Sequence, residues 1–213
     1  RTAGIEIERE LYRNAYVQGE RALAKAPIIS PEDTFHTLLR KKIVIQFEYL
    51  RTETGSQQFT PETAELIADG CYSKVKETLS TSRAIVEELS KRFPMVLVTN
   101  FYGNMPVVLK EFGLDGYFKS IVESSTVGLR KPDPALFALG VEALQLPAEE
   151  IIVIGDSYRK DIHPASTLGC NTVWLKNICW EEEPIIDGHA PTAIIDDITQ
   201  LPDTIAYICC QEP

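Results

Sequence analysis

What the sequence is short of narrows it first. No run approaches the ~18 uninterrupted apolar residues of a membrane span; the best are Met95–Val98 and Ile151–Ile154. There is no internal repeat and no low-complexity tract. With 44% hydrophobic and 24% charged residues, the chain as a whole is not disordered, collagenous or coiled-coil. Histidine is scarce, with three scattered residues (His36, His163, His189), and the five cysteines (Cys71, Cys170, Cys179, Cys209, Cys210) contain no CxxC pair. No zinc site suggests itself. Unpaired thiols belong to a reducing compartment, so the expected location is cytoplasmic. Positive charge is also in deficit, with 21 Lys+Arg against 31 Asp+Glu and a net charge of −10. Such a field repels polyphosphate backbones and argues against a nucleic-acid partner. It leaves room for a small phosphate ester, because a bound cation inverts the potential locally.

A length of 213 residues suits one domain, or one domain carrying a smaller insertion. The first third reads as helical. Leu11, Ala15, Ala22 and Leu23 recur at roughly helical spacing between Glu8 and Lys25. Ser30-Pro31-Glu32-Asp33 reads as the start of a second helix, with Ser30 as N-cap and Pro31 at the first helical position. Thr60-Pro61-Glu62 opens a third helix toward Lys76, and Ser82 to Arg92 forms a separate amphipathic helix. After about residue 79 the texture changes. Short apolar strands at Met95–Val98, Ser120–Val122, Ile151–Ile154, Thr172–Leu175 and Ala193–Ile195 alternate with helices over Val107–Phe112, Pro134–Leu144, Lys160–Leu168 and Ile198–Tyr207. That alternation predicts an α/β fold: a doubly wound, mainly parallel, Rossmann-like sheet, buried on both faces. Residues 79–213 would form this core, and the helical residues 1–78 a smaller domain. Trp174 and Trp180 read as core or edge aromatics, and Glu181-Glu182-Glu183 as a solvated loop.

In such a sheet the ligand sits beyond the carboxyl ends of the strands. Past Val98 come Thr99 and Asn100; past the second strand comes Lys131, within Gly128-Leu129-Arg130-Lys131-Pro132-Asp133-Pro134; past Ile154 come Gly155, Asp156 and Ser157, with Asp161 five residues beyond Asp156. A hydroxyl, an amide, an ammonium and two carboxylates are thus expected at one rim of one sheet. Phosphoryl transfer is served by positioning and electrostatics, and these groups suit it. Hydroxyl and backbone N–H groups bind phosphate oxygens, lysine is a mobile point charge for anions, and Asp156 and Asp161 are hard ligands for Mg²⁺. Singly, each is as easily a turn, a surface lysine or a helix-start acid. Their coincidence at three successive strand ends carries the reading.

This arrangement resembles the haloacid dehalogenase superfamily of hydrolases. Val96-Leu97-Val98-Thr99-Asn100 matches the family's second motif, Lys131-Pro132-Asp133-Pro134-Ala135-Leu136-Phe137 the third, and Ile152-Val153-Ile154-Gly155-Asp156-Ser157 with Asp161 the fourth. The resemblance covers residues 79 to about 200, and residues 1–78 look like the family's inserted α-helical cap. It implies that Thr99 binds the transferring phosphoryl group with the Asn100 backbone beside it, and that Lys131 neutralises nucleophile and phosphate. Asp156 would ligate Mg²⁺, and Asp161 would ligate it or orient its waters. The implied reaction is hydrolysis of a small phosphorylated metabolite through an aspartyl-phosphate on a motif-one aspartate, with a second aspartate two residues later as general acid/base.

That first motif, an apolar strand followed by Asp-x-Asp-x-Thr, has no counterpart here. Asp69-Gly70 lies in a helical run, Asp115-Gly116 in a helix exit, and Asp196-Asp197 comes too late. The chain opens Arg1-Thr2-Ala3-Gly4 without Met, and roughly 20–40 upstream residues carrying the nucleophile are expected. The missing strand is central in the family, and buried unpaired backbone groups cost ~1–3 kcal/mol each. Another segment is therefore expected to fill its place, from the chain itself or from a second copy in a homodimer. Two other functions fit the same residues: a non-catalytic domain that binds phosphometabolites or a protein, and a metal-independent dehalogenase. Turnover of phosphate esters argues against the first, and loss of activity with a chelator against the second. Tyr12, Tyr16, Arg21, His36 and Arg40 read as surface or packing residues of the cap.

Overall fold

Proline and glycine punctuation, more than propensity, decides where the elements begin and end. The computed structural model describes residues 4–176 and 184–210. Cys179, Trp180 and Glu181-Glu182-Glu183 lie outside the described residues. The chain divides into two compact units, one of residues through Ser80 together with Tyr102–Asp115, the other of Thr81–Phe101 together with Gly116 onward.

In the first unit, α1 (Arg9–Lys25) starts where the Glu8 carboxylate accepts from the backbone N–H groups of Glu10 and Leu11. Helix α2 (Phe35–Thr54) begins later than the Ser-Pro signal predicts. Ser30 and Asp33 instead close a turn on themselves, the Ser30 N–H donating to the Asp33 carboxylate at 2.8 Å while Lys41 pairs with the same carboxylate. The cap falls to Thr34, whose hydroxyl accepts from Thr37 N–H, and the helix stops at Gly55 in the left-handed region that glycine tolerates. Helix α3 (Pro61–Ser90) is a single element of 30 residues where the sequence predicts two. The polar run Leu79-Ser80-Thr81-Ser82 carries no proline or glycine to break the hydrogen-bond ladder, so the domain boundary expected near residue 79 falls inside a helix. Ala15, Ile43, Phe47, Leu50, Phe59, Ala64 and Ala68 form the apolar centre of this unit, which also holds α4 (Met105–Glu111).

The second unit is α/β with parallel strands throughout. Strand β1 (Val96–Thr99) pairs with β2 (Ser120–Glu123), Val96 opposite Ser120 and Thr99 opposite Glu123. The short helix α5 (Ser124–Val127) and then α6 (Pro134–Leu144) follow. Helix α6 spans Pro134–Leu144 as the sequence predicts, with Asp133 capping it and Pro134 in its first turn. Gly140 lets α6 lie close on β1, since a Cβ there would sit 2.7 Å from Val98 Cγ2. Strand β3 (Ile152–Gly155) pairs with β4 (Asn171–Leu175), and β4 with β5 (Ala193–Ile195). Between β3 and β4 the expected helix is a wide π-type turn, Tyr158–Ile162, running into α7 (His163–Ser166). Helix α8 (Leu201–Cys209) closes the fold. Two apolar centres support it: Ile85, Leu89, Val173, Ile195, Leu201, Ile205 and Ile208, and Phe137, Ile151, Ala165 and Cys170.

One detail of the sheet differs from the expectation. The strands form two hydrogen-bonded sheets, β1-β2 and β3-β4-β5, rather than one. Among the described residues, nothing pairs with the second edge of β1 or of β3. All four β1 residues are only half-buried, and Ile154 of β3 is 42% exposed. Only β4 is the buried strand that the apolar pattern predicts.

Candidate active site

The site residues come from loops that follow β1, β2 and β3, all within the second unit. Asn100, the first residue past β1, spends its side chain on Lys131: its Oδ1 accepts the Lys131 backbone N–H at 2.8 Å and its Nδ2 donates to the Lys131 carbonyl at 3.1 Å. This two-way clasp fixes the loop bearing Lys131 to the exit of β1. The other side of that exit is held by Ser124, buried just past β2, whose hydroxyl accepts from Phe101 N–H (3.1 Å) and donates to the Phe101 carbonyl (3.2 Å). The Thr99–Phe101 turn is therefore tied on both sides, and neither tie uses the Thr99 hydroxyl.

Lys131 reaches from the β1 side to the β3 side. Its Nζ donates to Asp161 Oδ1 at 2.7 Å and lies 5.1 Å from the centre of the Phe137 ring. The pair is enclosed, with 15% of the Lys131 and 7% of the Asp161 side chain exposed. In low-dielectric surroundings such a contact is charge-assisted and strong. The other Asp161 oxygen accepts the Ser157 backbone N–H at 3.1 Å. Both oxygens are thus engaged by the protein itself. Asp156, the first residue beyond β3, is exposed. Neither the Thr99 hydroxyl nor the Asp156 carboxylate has a hydrogen bond or ion pair among the described residues, which leaves both open to a ligand.

Gly155 makes this packing feasible. A Cβ there would lie 2.3 Å from Asp161 Cβ, 2.7 Å from its Cγ and 2.9 Å from its Oδ2, so the Asp161 side chain occupies the space a larger residue would need. The π-type turn then carries the chain from Ser157 to Asp161, with Asp161 N–H and Ile162 N–H both bonded to the Ser157 carbonyl. The open Asp156 carboxylate and, five residues on, the buried, lysine-paired Asp161 are oxygen donors of the kind a hard divalent cation takes, together with water and phosphate.

The structure thus joins Asn100, Lys131, Asp161 and the Ser157 backbone in one hydrogen-bonded chain, with Thr99 next to Asn100 and Asp156 next to Ser157 in the sequence. Sequence reasoning missed Ser124, which reads as an ordinary helix-start serine. It also missed the polar role of Trp174, a buried residue of β4 whose indole N–H donates to the Asp156 carbonyl at 3.1 Å. One other constellation stands in the first unit: the ligand atoms of His36, Glu65 and Asp69 lie within 4.8 Å of one another. His36 Nε2 and Asp69 Oδ1 bond each other at 2.7 Å and Arg40 pairs with Glu65 at 3.8 Å, so these are surface pairs tying α2 to α3. Nothing further aims at a ligand there. No helix among the described residues is long and apolar enough to cross a membrane.

Residues 2–169 match the haloacid dehalogenase-like hydrolase family. The chain is 33% identical over 190 residues to the phosphoglycolate phosphatase of Photobacterium profundum, covering 89% of this chain and 74% of that protein. It is 30% identical over 186 residues to the phosphoglycolate phosphatase of Vibrio cholerae, covering 87% and 74%. Among solved structures, the HAD-hydrolase YfnB from Bacillus subtilis bound to magnesium superposes with a TM-score of 0.59 at 21% identity, over 93% of this chain and 84% of that one. At that identity the likeness speaks to the fold alone.

Proposed function

This chain belongs to the haloacid dehalogenase-like hydrolase family, and on that footing we propose that it provides the phosphate- and metal-binding part of a Mg²⁺-dependent phosphatase for a small phosphorylated metabolite. The names of its relatives make phosphoglycolate the first substrate to test. The observation that carries the reading is the 2.7 Å contact of Lys131 with Asp161, made between the ends of two separately paired sheets and clasped by Asn100. An enclosed ammonium, with an open carboxylate and an open hydroxyl on the strand exits that its hydrogen bonds join, suits an anion and a cation bound together.

In this reading the Thr99 hydroxyl and the Asn100 backbone N–H hold phosphoryl oxygens. Lys131 neutralises charge on the transferring group, and Asp161 fixes where its ammonium stands. Asp156 holds the metal, with Asp161 beside it orienting water. When bound, Mg²⁺ supplies a compact positive centre that offsets phosphoryl charge. The attacking aspartate, which would carry the aspartyl-phosphate, belongs to a segment outside these 213 residues. Support for that comes from the lack of an Asp-x-Asp pair after any apolar strand here, and from the half-exposed, unpaired edges of β1 and β3. The described cysteines, Cys71, Cys170, Cys209 and Cys210, are all free thiols, which suits a cytoplasmic enzyme.

The test is phosphate release from a panel of small phosphate esters by the protein including its upstream segment, with and without Mg²⁺. Phosphoglycolate belongs in the panel, and Asp156→Asn is the paired variant. Metal-dependent release that Asp156→Asn lowers by two orders of magnitude or more supports the reading. Mg²⁺ binding without turnover of any ester would instead favour a non-catalytic phosphometabolite-binding protein, and activity that survives a chelator a metal-independent enzyme.

A further inference from the structure

We propose that Trp174 is a positioning residue for the metal-binding arm, acting through the backbone carbonyl of Asp156. Strand β4 runs beside β3 with Trp174 opposite Gly155, so the indole stands next to the point where β3 ends. The Asp156 carbonyl lies one residue past that end and has no ladder partner; the Trp174 Nε1–H takes its place at 3.1 Å. Holding that carbonyl sets the peptide plane between Asp156 and Ser157. The N–H of that same plane donates to Asp161 Oδ2. One hydrogen bond therefore orients both carboxylates, Asp156 through its own main chain and Asp161 through Ser157.

The indole is itself fixed. Trp174 is 4% exposed, and the Tyr158 ring packs on it with centroids 5.5 Å apart. Tyr158 is 1% exposed, and its hydroxyl donates to the His189 carbonyl at 3.0 Å and accepts from Ile186 N–H at 2.9 Å. Ile162, fully buried, completes the cluster. A buried tryptophan ordinarily finds a partner for its N–H wherever one is near; here that partner is the backbone of the residue meant to hold the cation. A residue serving only to fill the core would give its volume and nothing more, and phenylalanine would replace it.

This inference rests on the reading of Asp156 as the metal-holding carboxylate, and the experiment separates the two. Mg²⁺ affinity is measured by isothermal titration calorimetry for the parent, Trp174→Phe and Asp156→Asn, together with the urea midpoint of each without metal. The expected result is a loss of Mg²⁺ affinity in Trp174→Phe of roughly three- to ten-fold, the size of one neutral hydrogen bond, and loss of measurable binding in Asp156→Asn. Trp174→Phe binding within two-fold of the parent, with Asp156→Asn unable to bind, overturns the role of Trp174 and leaves the reading of Asp156 standing. Unchanged binding in Asp156→Asn overturns both. Should Trp174→Phe not fold, β-(3-benzothienyl)alanine placed at position 174 keeps the bicyclic shape and removes only the N–H, and the same criterion applies.

Discussion

Replacing Lys131 with methionine keeps most of the side-chain volume and removes the ammonium from Asp161. The carboxylate left behind has 7% of its side chain exposed and, among the described residues, keeps the Ser157 N–H as its hydrogen-bond partner. Breaking a buried pair in this way typically costs 3–5 kcal/mol; with one hydrogen bond surviving, about 3 kcal/mol is expected. Against a total stability of ~5–15 kcal/mol that is a large fraction. For a urea m-value of about 2 kcal/mol/M it moves the midpoint down by roughly 1.5 M. Asp161→Leu, a near-isosteric change, should cost less, about 2 kcal/mol, because the long Lys131 stem can carry its ammonium toward solvent. The double variant replaces both charges with apolar groups of similar shape and should recover to within about 1 kcal/mol of the parent. Urea denaturation followed by tryptophan emission reads all four proteins, with Trp174 reporting from the same unit. A Lys131→Met midpoint within about 0.3 M of the parent, or a double variant whose loss equals the sum of the singles, would refute the claim that these two charges depend on each other.

Gly155→Ala should destabilise the protein by at least ~1–3 kcal/mol and weaken Mg²⁺ binding, because its Cβ would overlap Asp161; equal urea midpoints and equal affinity would contradict the cradle. Acid should loosen the first unit through Asp33. Burial alone would raise the Asp33 carboxyl, but the Lys41 hydrogen bond, the Ser30 N–H and the Lys41 charge together hold it below the ordinary carboxylate range. With the folded value depressed, the stability it gives is present above the ordinary carboxylate value and lost as pH falls through the folded one. Melting curves of Asp33→Asn should thus lie below the parent at neutral pH and converge with it in acid; a constant gap across pH would rule this out. Burial also raises the Cys170 thiol, so iodoacetamide at neutral pH should modify the exposed Cys71, Cys209 and Cys210 well before Cys170, as peptide mass mapping would reveal.

The short-range signals in the sequence proved dependable where one residue type has one physical job. Asp133 and Pro134 start α6, Glu8 precedes α1, and the short apolar runs are parallel strands within a residue or so of their expected ends. They failed where two local solutions compete. Ser30-Pro31 looks like a helix start, but Asp33 offers the Ser30 N–H a carboxylate that Lys41 also binds, and the turn wins. Ser80-Thr81-Ser82 looks like a break, yet a continuous ladder costs less than ending one helix and nucleating another.

By its own order of residues, the sequence pointed to the family and named the candidate residues of the site. Thr99, Asn100, Lys131, Asp156 and Asp161 follow apolar strands, and parallel strands with short exits must deliver them to the same ends. Only the tertiary structure decided what each does with its polar atoms. It spends the Asn100 side chain on the Lys131 backbone, occupies both Asp161 oxygens, leaves Asp156 open, and turns Trp174 from a space-filling ring into a hydrogen-bond donor. It also separated the strands into two sheets. Hydrogen bonds between segments tens of residues apart depend on distances that no local pattern encodes, which is why the candidate residues could be named in advance and their hydrogen-bond partners could not.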